Sequence, residues 1–533
     1  MLFNSYIFIF AFFPIVFFGF FRIGKQSQAL ALLWLAVASL FFYGWWDVRY
    51  VGLLLSSIGF NYCAGYLMAR RVAHPLVSPS KMLLAISIGV NLILLGYFKY
   101  TNFFTNNLNH LAGTSITLGE IILPLGISFF TFTQIAFLVD TYQGKVKELN
   151  FIHYMLFVTY FPHLIAGPVL HHKEMMPQFA RRNVCQLNWD NVAVGLSIFV
   201  LGLAKKVLIA DSLADFSTPI FSAVTAGGQP FLFEAWIGAL AYTLQLYFDF
   251  SAYSDMAIGI SLMFNVRLPI NFNSPYKSTS IIDFWRCWHM TLSRFLRDYL
   301  YIPLGGSRNG TVQRYLNLMA TMLLGGLWHG AGWTFIVWGG LHGFYLIVNH
   351  AWRRFKEKMC WSAGGGLARL VAGALTFLAV VVAWVFFRAA NFSTAIRMLN
   401  GMVGLNGVSL PGFLEPKIGH YFISCDWLIF SGFHPMVKNL NNANISIFIL
   451  LGFLIIWCLP NVREIFQNYR PSCEDIKDSP QAVDLKIQSI YLGKWQSLIR
   501  WQPTRMNSLA LGILFAVGIT FLSRVSEFLY YQF

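Results

Sequence analysis

One histidine interrupts an apolar, glycine-rich run: Leu323-Leu324-Gly325-Gly326-Leu327-Trp328-His329-Gly330-Ala331-Gly332-Trp333. An imidazole titrates near neutrality and can take a proton from a hydroxyl group. Ionisable residues at membrane depth are expensive and mark function by default. Glycines on both sides permit close approach of other backbone or of substrate. A membrane histidine can equally serve a structural bond to a neighbouring helix carbonyl, but the glycine and tryptophan surroundings favour a site. A second histidine lies in Asp283-Phe284-Trp285-Arg286-Cys287-Trp288-His289-Met290-Thr291-Leu292-Ser293-Arg294-Phe295-Leu296-Arg297-Asp298-Tyr299. At about 100° per residue, Trp285, Trp288, Leu292, Phe295, Leu296 and Tyr299 share one face, and Arg286, Ser293, Arg294 and Arg297 the other. His289 falls at the edge of the apolar face. The spacing predicts one amphipathic helix with a basic side, suited to a membrane interface or a re-entrant funnel. Its arginines serve equally well as anchors on lipid phosphates.

Two further acids lie in Tyr247-Phe248-Asp249-Phe250-Ser251-Ala252-Tyr253-Ser254-Asp255. Six residues apart, they occupy different faces of a continuous helix, which argues against a shared-proton dyad. Capping of a broken helix or pairing with an arginine is the expectation. The turn-rich stretch Asn271-Phe272-Asn273-Ser274-Pro275-Tyr276 links this element to the arginine-bearing one. A Walker A loop, HExxH, a Rossmann glycine signature and GxSxG are all absent from the sequence. His171-His172 reads as a loop pair without the ligand spacing of a zinc site.

The elements that must hold these residues are membrane helices. Of 533 residues 57% are hydrophobic, 17% aromatic and only 11% charged, against roughly 25% charged in a soluble domain. Mean hydropathy is +0.58. Soluble multi-domain, disordered and fibrous classes are excluded. The net charge of +16 is spread between apolar runs, which argues for basic cytoplasmic loops and against nucleic-acid binding. Seven cysteines without a CxxC pair give no complete disulfide framework. Runs long enough for spans of about 17 to 25 residues fall near 2–21, 28–46, 50–68, 82–98, 120–139, 191–210, 331–349, 366–388, 445–460 and 507–524. The stretch 231–264 reads as two short helices broken by polar residues, and 151–170 and 282–303 as re-entrant or interfacial segments. Charge follows the first apolar run (Arg22, Lys25), so that run reads as a retained span with its N-terminus outside. Loops bearing Arg70/Arg71/Lys81, Lys145/Lys147, Arg181/Arg182 and Arg353/Arg354/Lys356/Lys358 are expected in the cytoplasm, as is 463–505 with seven Lys/Arg. The 399–440 segment, with only Lys417 and Lys438, is expected outside, as is the C-terminus. The fold class is therefore all-α, a polytopic membrane protein of about ten to twelve transmembrane helices, with no internal repeat of the kind transporters carry.

At these residues the sequence resembles the membrane-bound O-acyltransferase family, in its alginate O-acetyltransferase-like branch. The stretches that carry the resemblance are Met1-Leu2-Phe3-Asn4-Ser5, Pro124 to Phe132, Tyr247 to Asp255, Asn271 to Tyr276, Phe284 to Gly306, Gly325 to Gly330 and Trp384-Val385-Phe386-Phe387-Arg388. They span a core of residues 1–405. The match is weaker through 406–533, where an external loop, a cytoplasmic loop and two C-terminal transmembrane helices continue the same membrane domain. Cys287 departs from relatives that carry a second arginine there. The resemblance implies re-entrant and interfacial helices around a central tunnel, entered by an acyl thioester from the cytoplasm and by a hydroxyl from the outer side. It maps the family's essential histidine onto His329 and its second histidine onto His289. Trp285, Arg286, Trp288, Trp328, Asp249 and Asn273 are the candidate substrate-binding residues, and no metal ligand is expected.

The expected function is transfer of an acyl group, acetyl foremost, to hydroxyls of an extracytoplasmic polysaccharide such as alginate or a related envelope glycan. The donor would be acetyl-CoA or an acyl carrier, as co-substrate and not as a resident cofactor. Periplasmic partner proteins, a bacterial inner membrane and no nucleic acid complete the expectation. The alternatives are a teichoic acid D-alanyl transferase and, from another class, a secondary transporter or flippase, which proton-coupled uptake without acyl transfer would reveal.

Overall fold

The computed structural model describes residues 1–73, 80–119, 121–165, 167–360, 365–418, 427–437, 442–473 and 500–523. Parts of the expected external 399–440 and cytoplasmic 463–505 loops lie outside the described residues. Regular structure is helical except for a two-residue parallel pairing of Val408–Ser409 with Leu428–Ile429. In chain order the first helices are α1 (Phe13–Gly24), α2 (Gln28–Gly44), α3 (Arg49–Ala73), α4 (Lys81–Ala112), α5 (Ile127–Tyr142), α6 (Phe151–Thr159), α7 (Phe161–Leu164) and α8 (His172–Phe179). The centre of the chain holds α9 (Trp189–Ala204), α10 (Asp211–Thr225), α11 (Leu232–Met263), α12 (Ile281–Cys287), α13 (Met290–Leu296), α14 (Gly310–His329), α15 (Trp333–Lys358) and α16 (Gly366–Arg388). There follow α17 (Phe392–Met402), α18 (Glu415–Ile418), α19 (Asn442–Cys458), α20 (Val462–Ile465) and α21 (Arg505–Thr520).

Each of the ten apolar runs contains a helix. Among the described residues, four helices, Arg49–Val72, Lys81–Ala112, Trp189–Thr225 and Gly366–Arg388, are long and apolar enough to cross a membrane. Four shorter apolar ones, Phe8–Gly24, Gln28–Gly44, Asn444–Cys458 and Arg505–Thr520, accompany them. The chain is an all-α, multi-pass membrane protein.

The 231–264 stretch departs from expectation. It is one continuous helix, α11, of 32 residues. The reason is electrostatic: a lysine pair meets the acids without any break in the backbone. Lys206 Nζ lies 2.7 Å from both Asp249 and Asp211, and Lys205 pairs with Asp255. The lysines stand on a π-helical turn, Lys205–Ala210, between α9 and α10. Each acid thus pairs with a lysine and not with the arginine expected. The backbones of α9 and α11 meet so closely that a methyl group at Gly259 would lie 2.5 Å from the Gly195 carbonyl oxygen. Small residues at such crossings let membrane helices pack on dispersion contacts. Phe3 stacks on Tyr253 of α11 at 4.6 Å, which draws the N-terminal segment into the core.

Candidate active site

The expected amphipathic helix over 283–299 is broken at Trp288–His289, between α12 and α13. Its partner in the break is the turn-rich 271–276 loop. Asn273 N–H donates to the Cys287 carbonyl (3.0 Å), and Met290 N–H donates to the Asn271 carbonyl (2.9 Å). The Thr291 hydroxyl donates to Asn271 Oδ1 (2.6 Å) and accepts the Val169 N–H (2.9 Å). Backbone groups on both sides of His289 are therefore spent on the loop instead of on a helix ladder. His289 takes up the turn in the left-handed region, φ 41° and ψ 54°. Such a conformation costs an L-residue of this kind about 1–2 kcal/mol, and it is often found where function requires it. The His289 side chain is fully buried, its ring edge-on to Phe250 at 4.8 Å.

His329 is the last residue of α14. The glycines around it serve close packing. A methyl group at Gly326 would lie 2.2 Å from the Phe335 carbonyl oxygen, and one at Gly339 would lie 2.3 Å from that of Met322. The α14 and α15 backbones can therefore touch, and the buried His329 ring is held edge-on between Trp338 (5.0 Å) and Phe387 (5.2 Å). The Trp328 ring neighbours both imidazoles, 4.8 Å from His329 and 6.4 Å from His289. Three carbonyls close the helix end. Lys99 donates to those of Trp328 and His329, and the Tyr100 hydroxyl donates to that of Leu327 (2.8 Å).

Two cavities lie near this histidine pair: His329 lines one, and the neighbours of His289 in the chain line the other. One, of about 730 Å³, is lined by Arg286, Arg294, Arg297, Arg314, Arg463 and His350, and extends to Trp285, Met290 and Thr291 beside His289. The other, of about 70 Å³, holds Lys99, Ser128, Trp328 and His329 together with Trp46 and Pro124. Helix α5 gives the scale. Its first residue, Ile127, lines the small cavity. Asp140, about 20 Å further along at 1.5 Å per residue, accepts from Tyr299 (2.8 Å) near the arginine cleft. A still larger cavity, of about 960 Å³, runs between α9, α11, α19 and α21 past Lys205 and Asp255, but neither histidine lines it.

The other candidates divide by location. Arg286 lines the cleft, half-exposed and paired with Asp283 at 3.3 Å. Trp285 also lines it, and its indole N–H donates to His342 Nδ1 (3.2 Å). Trp288 is packed among Phe272, Phe284 and Trp384. Asp249 faces Lys206, and the Asn273 side chain accepts from Asn461 (3.0 Å). The structure thus places His329 and Trp328 on the small cavity and Trp285 and Arg286 on the arginine cleft, with His289 buried beside Trp328 and lining neither. It gives Asp249, Asn273 and Trp288 contacts with neighbouring helices and loops.

His342, which no motif above includes although it too interrupts an apolar run, is fully buried at 5.0 Å from Trp338. Its place one turn beyond Trp338 is the signal for it. The His171-His172 pair is buried as well. His172 Nδ1 lies 3.1 Å from Asp140, and His171 Nδ1 lies 3.1 Å from the Tyr299 hydroxyl.

Buried imidazoles in a multi-pass helical bundle, one of them lining a cavity, suit a membrane acyltransferase. The chain belongs to the membrane-bound O-acyltransferase family, whose sequence model matches residues 16–390, and it is an O-acyltransferase. It is 48% identical over 438 residues to a peptidoglycan O-acetyltransferase of Helicobacter pylori, covering 77% of this chain and 81% of that one. It is 38% identical to a probable alginate O-acetylase of Pseudomonas putida across the whole of both chains. A teichoic acid D-alanyltransferase of Lacticaseibacillus rhamnosus is 25% identical over 57% of this chain and 75% of its own.

Proposed function

We propose that the protein moves an acetyl group from a thioester on the arginine-cleft side to a hydroxyl of an envelope glycan on the other side. The observation that supports this reading is the nearness of buried His289 and His329 to the one Trp328 ring, with His329 lining the small cavity and Trp285, Met290 and Thr291, close to His289 in the chain, lining the arginine cleft. Guanidinium groups match phosphate geometry and stay charged, so the cleft suits a phosphate-bearing thioester such as acetyl-CoA or the phosphopantetheine of an acyl carrier. His329 is the general base. It takes the acceptor hydroxyl proton as that oxygen attacks the thioester carbonyl, and the thiolate leaves and is protonated. His289 orients the thioester or passes the proton on. A base of this kind supplies about 10²–10⁴-fold in rate. The bundle of about ten to twelve spans, counting α11 and α14, then encloses a tunnel.

The acceptor of this reading is peptidoglycan, favoured by the relative at 48% identity, with alginate second, favoured by the full-length relatives. The setting is the bacterial inner membrane, with periplasmic proteins presenting the polymer. Alkali-labile acetate on purified envelope glycans, measured with and without the protein, tests the acceptor. The proposal expects peptidoglycan-linked acetate to disappear with the protein. Unchanged peptidoglycan with lost acetate on another polymer would overturn that choice.

A further inference from the structure

Lys99 lies within α4, a helix apolar enough to cross a membrane. A cation there is costly unless its surroundings meet it. An ammonium has three N–H donors, and three acceptors face this one: the carbonyls of Trp328 (2.5 Å) and His329 (3.3 Å) and the Ser128 hydroxyl (3.3 Å). The next residue, Tyr100, donates to the Leu327 carbonyl. Two consecutive residues of α4 thus hold the last three carbonyls of α14. Those groups have no partner within their own helix, and together they carry about half a negative charge, which the ammonium complements. Beyond His329 the chain turns extended at Gly330, φ −160°, so no later turn of helix fixes the imidazole. The ammonium also lies 5.8 Å from the centre of the Trp328 ring, which neighbours both histidines.

We propose that Lys99 is a positioning residue for the transfer: it clamps the C-terminal end of α14, and so sets where the His329 ring stands against the acceptor in the small cavity that both residues line. The inference rests on the reading of His329 as the base. A clamp of this kind acts on kcat, because a base misplaced by 1 Å can cost about 10²-fold. It leaves binding of the thioester alone, since the arginine cleft lies at the other end of α5.

The test measures thiol release from acetyl-CoA by the full-length purified chain, with soluble peptidoglycan glycan fragments as acceptor, per mole of folded protein. Lys99→Met should lower kcat by about 10²-fold with the KM for acetyl-CoA unchanged. Lys99→Gln, which keeps two donors on a side chain one bond shorter, secures a folded variant; its kcat should fall by about tenfold, again with KM unchanged. Lys99→Arg, which keeps the charge and the donors, should recover most of the rate. Tyr100→Phe, which removes one carbonyl bond and no charge, should keep it. Wild-type kcat in folded Lys99→Met or Lys99→Gln, while His329→Ala is inactive, overturns the role of Lys99 alone. Full turnover by His329→Ala overturns the reading beneath it.

Discussion

At the scale of single residues, His289 combines two properties that substitution can separate. Its backbone is left-handed, and its imidazole is buried against Phe250 and near Trp328. Glycine adopts that backbone without penalty, whereas alanine retains the cost of about 1–2 kcal/mol. His289→Gly should therefore melt no lower than His289→Ala in detergent, and both should lose acyl transfer. A folded glycine variant with near-normal turnover would remove the imidazole from the mechanism and leave the turn as its only role. Both catalytic candidates were legible from residue type, because a histidine in an apolar run carries its own cost. Lys99 was not singled out: it stands just past the 82–98 run, and what it holds depends on α14, more than 200 positions away in the chain. Asp249 shows the reverse. Its type marks it as unusual, but its partner, Lys206, comes from another helix, and no spacing within 247–255 reveals that.

Among the elements, apolar run length located the helices well, because about 20 apolar residues are what a bilayer requires. It was less informative for α14, where Gln313, Arg314 and Asn317 interrupt the run and tertiary bonds take over: Asn317 donates to the Gly306 carbonyl at 3.0 Å. Periodicity failed at α12–α13 for a similar reason. The face pattern of 283–299 is that of one helix, yet the 271–276 loop outcompetes the ladder at His289. Helix ends also sort the basic loops. Gln28, just beyond Lys25, donates to the carbonyls of Phe179 and Arg181 (2.8 and 3.0 Å). A methyl group at Gly144, beside Lys145, would lie 3.3 Å from Val72, beside Arg71, and Asp140 joins that end to His172. The basic ends therefore gather together, away from Trp46 and the 123–126 loop. The positive-inside rule assigns that gathered end to the cytoplasm. Single cysteines at 25, 145 and 182 should resist an impermeant thiol reagent applied outside, while one at 46 or 405 should react. Labelling at 145 from outside would invert the scheme.

On the scale of the whole molecule, two cavities of unlike character flank a buried aromatic cluster: Trp328 lines the small one and Trp285 the arginine cleft. The arginine cleft opens at the basic end, and the small cavity beside His329 is reached past Trp46 and Pro124. On the proposed function, this arrangement keeps donor and acceptor in separate compartments and excludes water from the thioester. The most direct test compares wild-type and His329→Ala protein, matched for folded amount, in liposomes with the arginine cleft facing an acetyl-CoA solution and the acceptor glycan on the other side. If His329 only bonded a neighbouring helix, its loss would cost about 0.6 kcal/mol of stability and leave turnover largely intact. As the general base, its loss should lower acetyl transfer by at least about 10²-fold with insertion unchanged. Near-normal transfer by the His329→Ala protein would contradict the account at its centre.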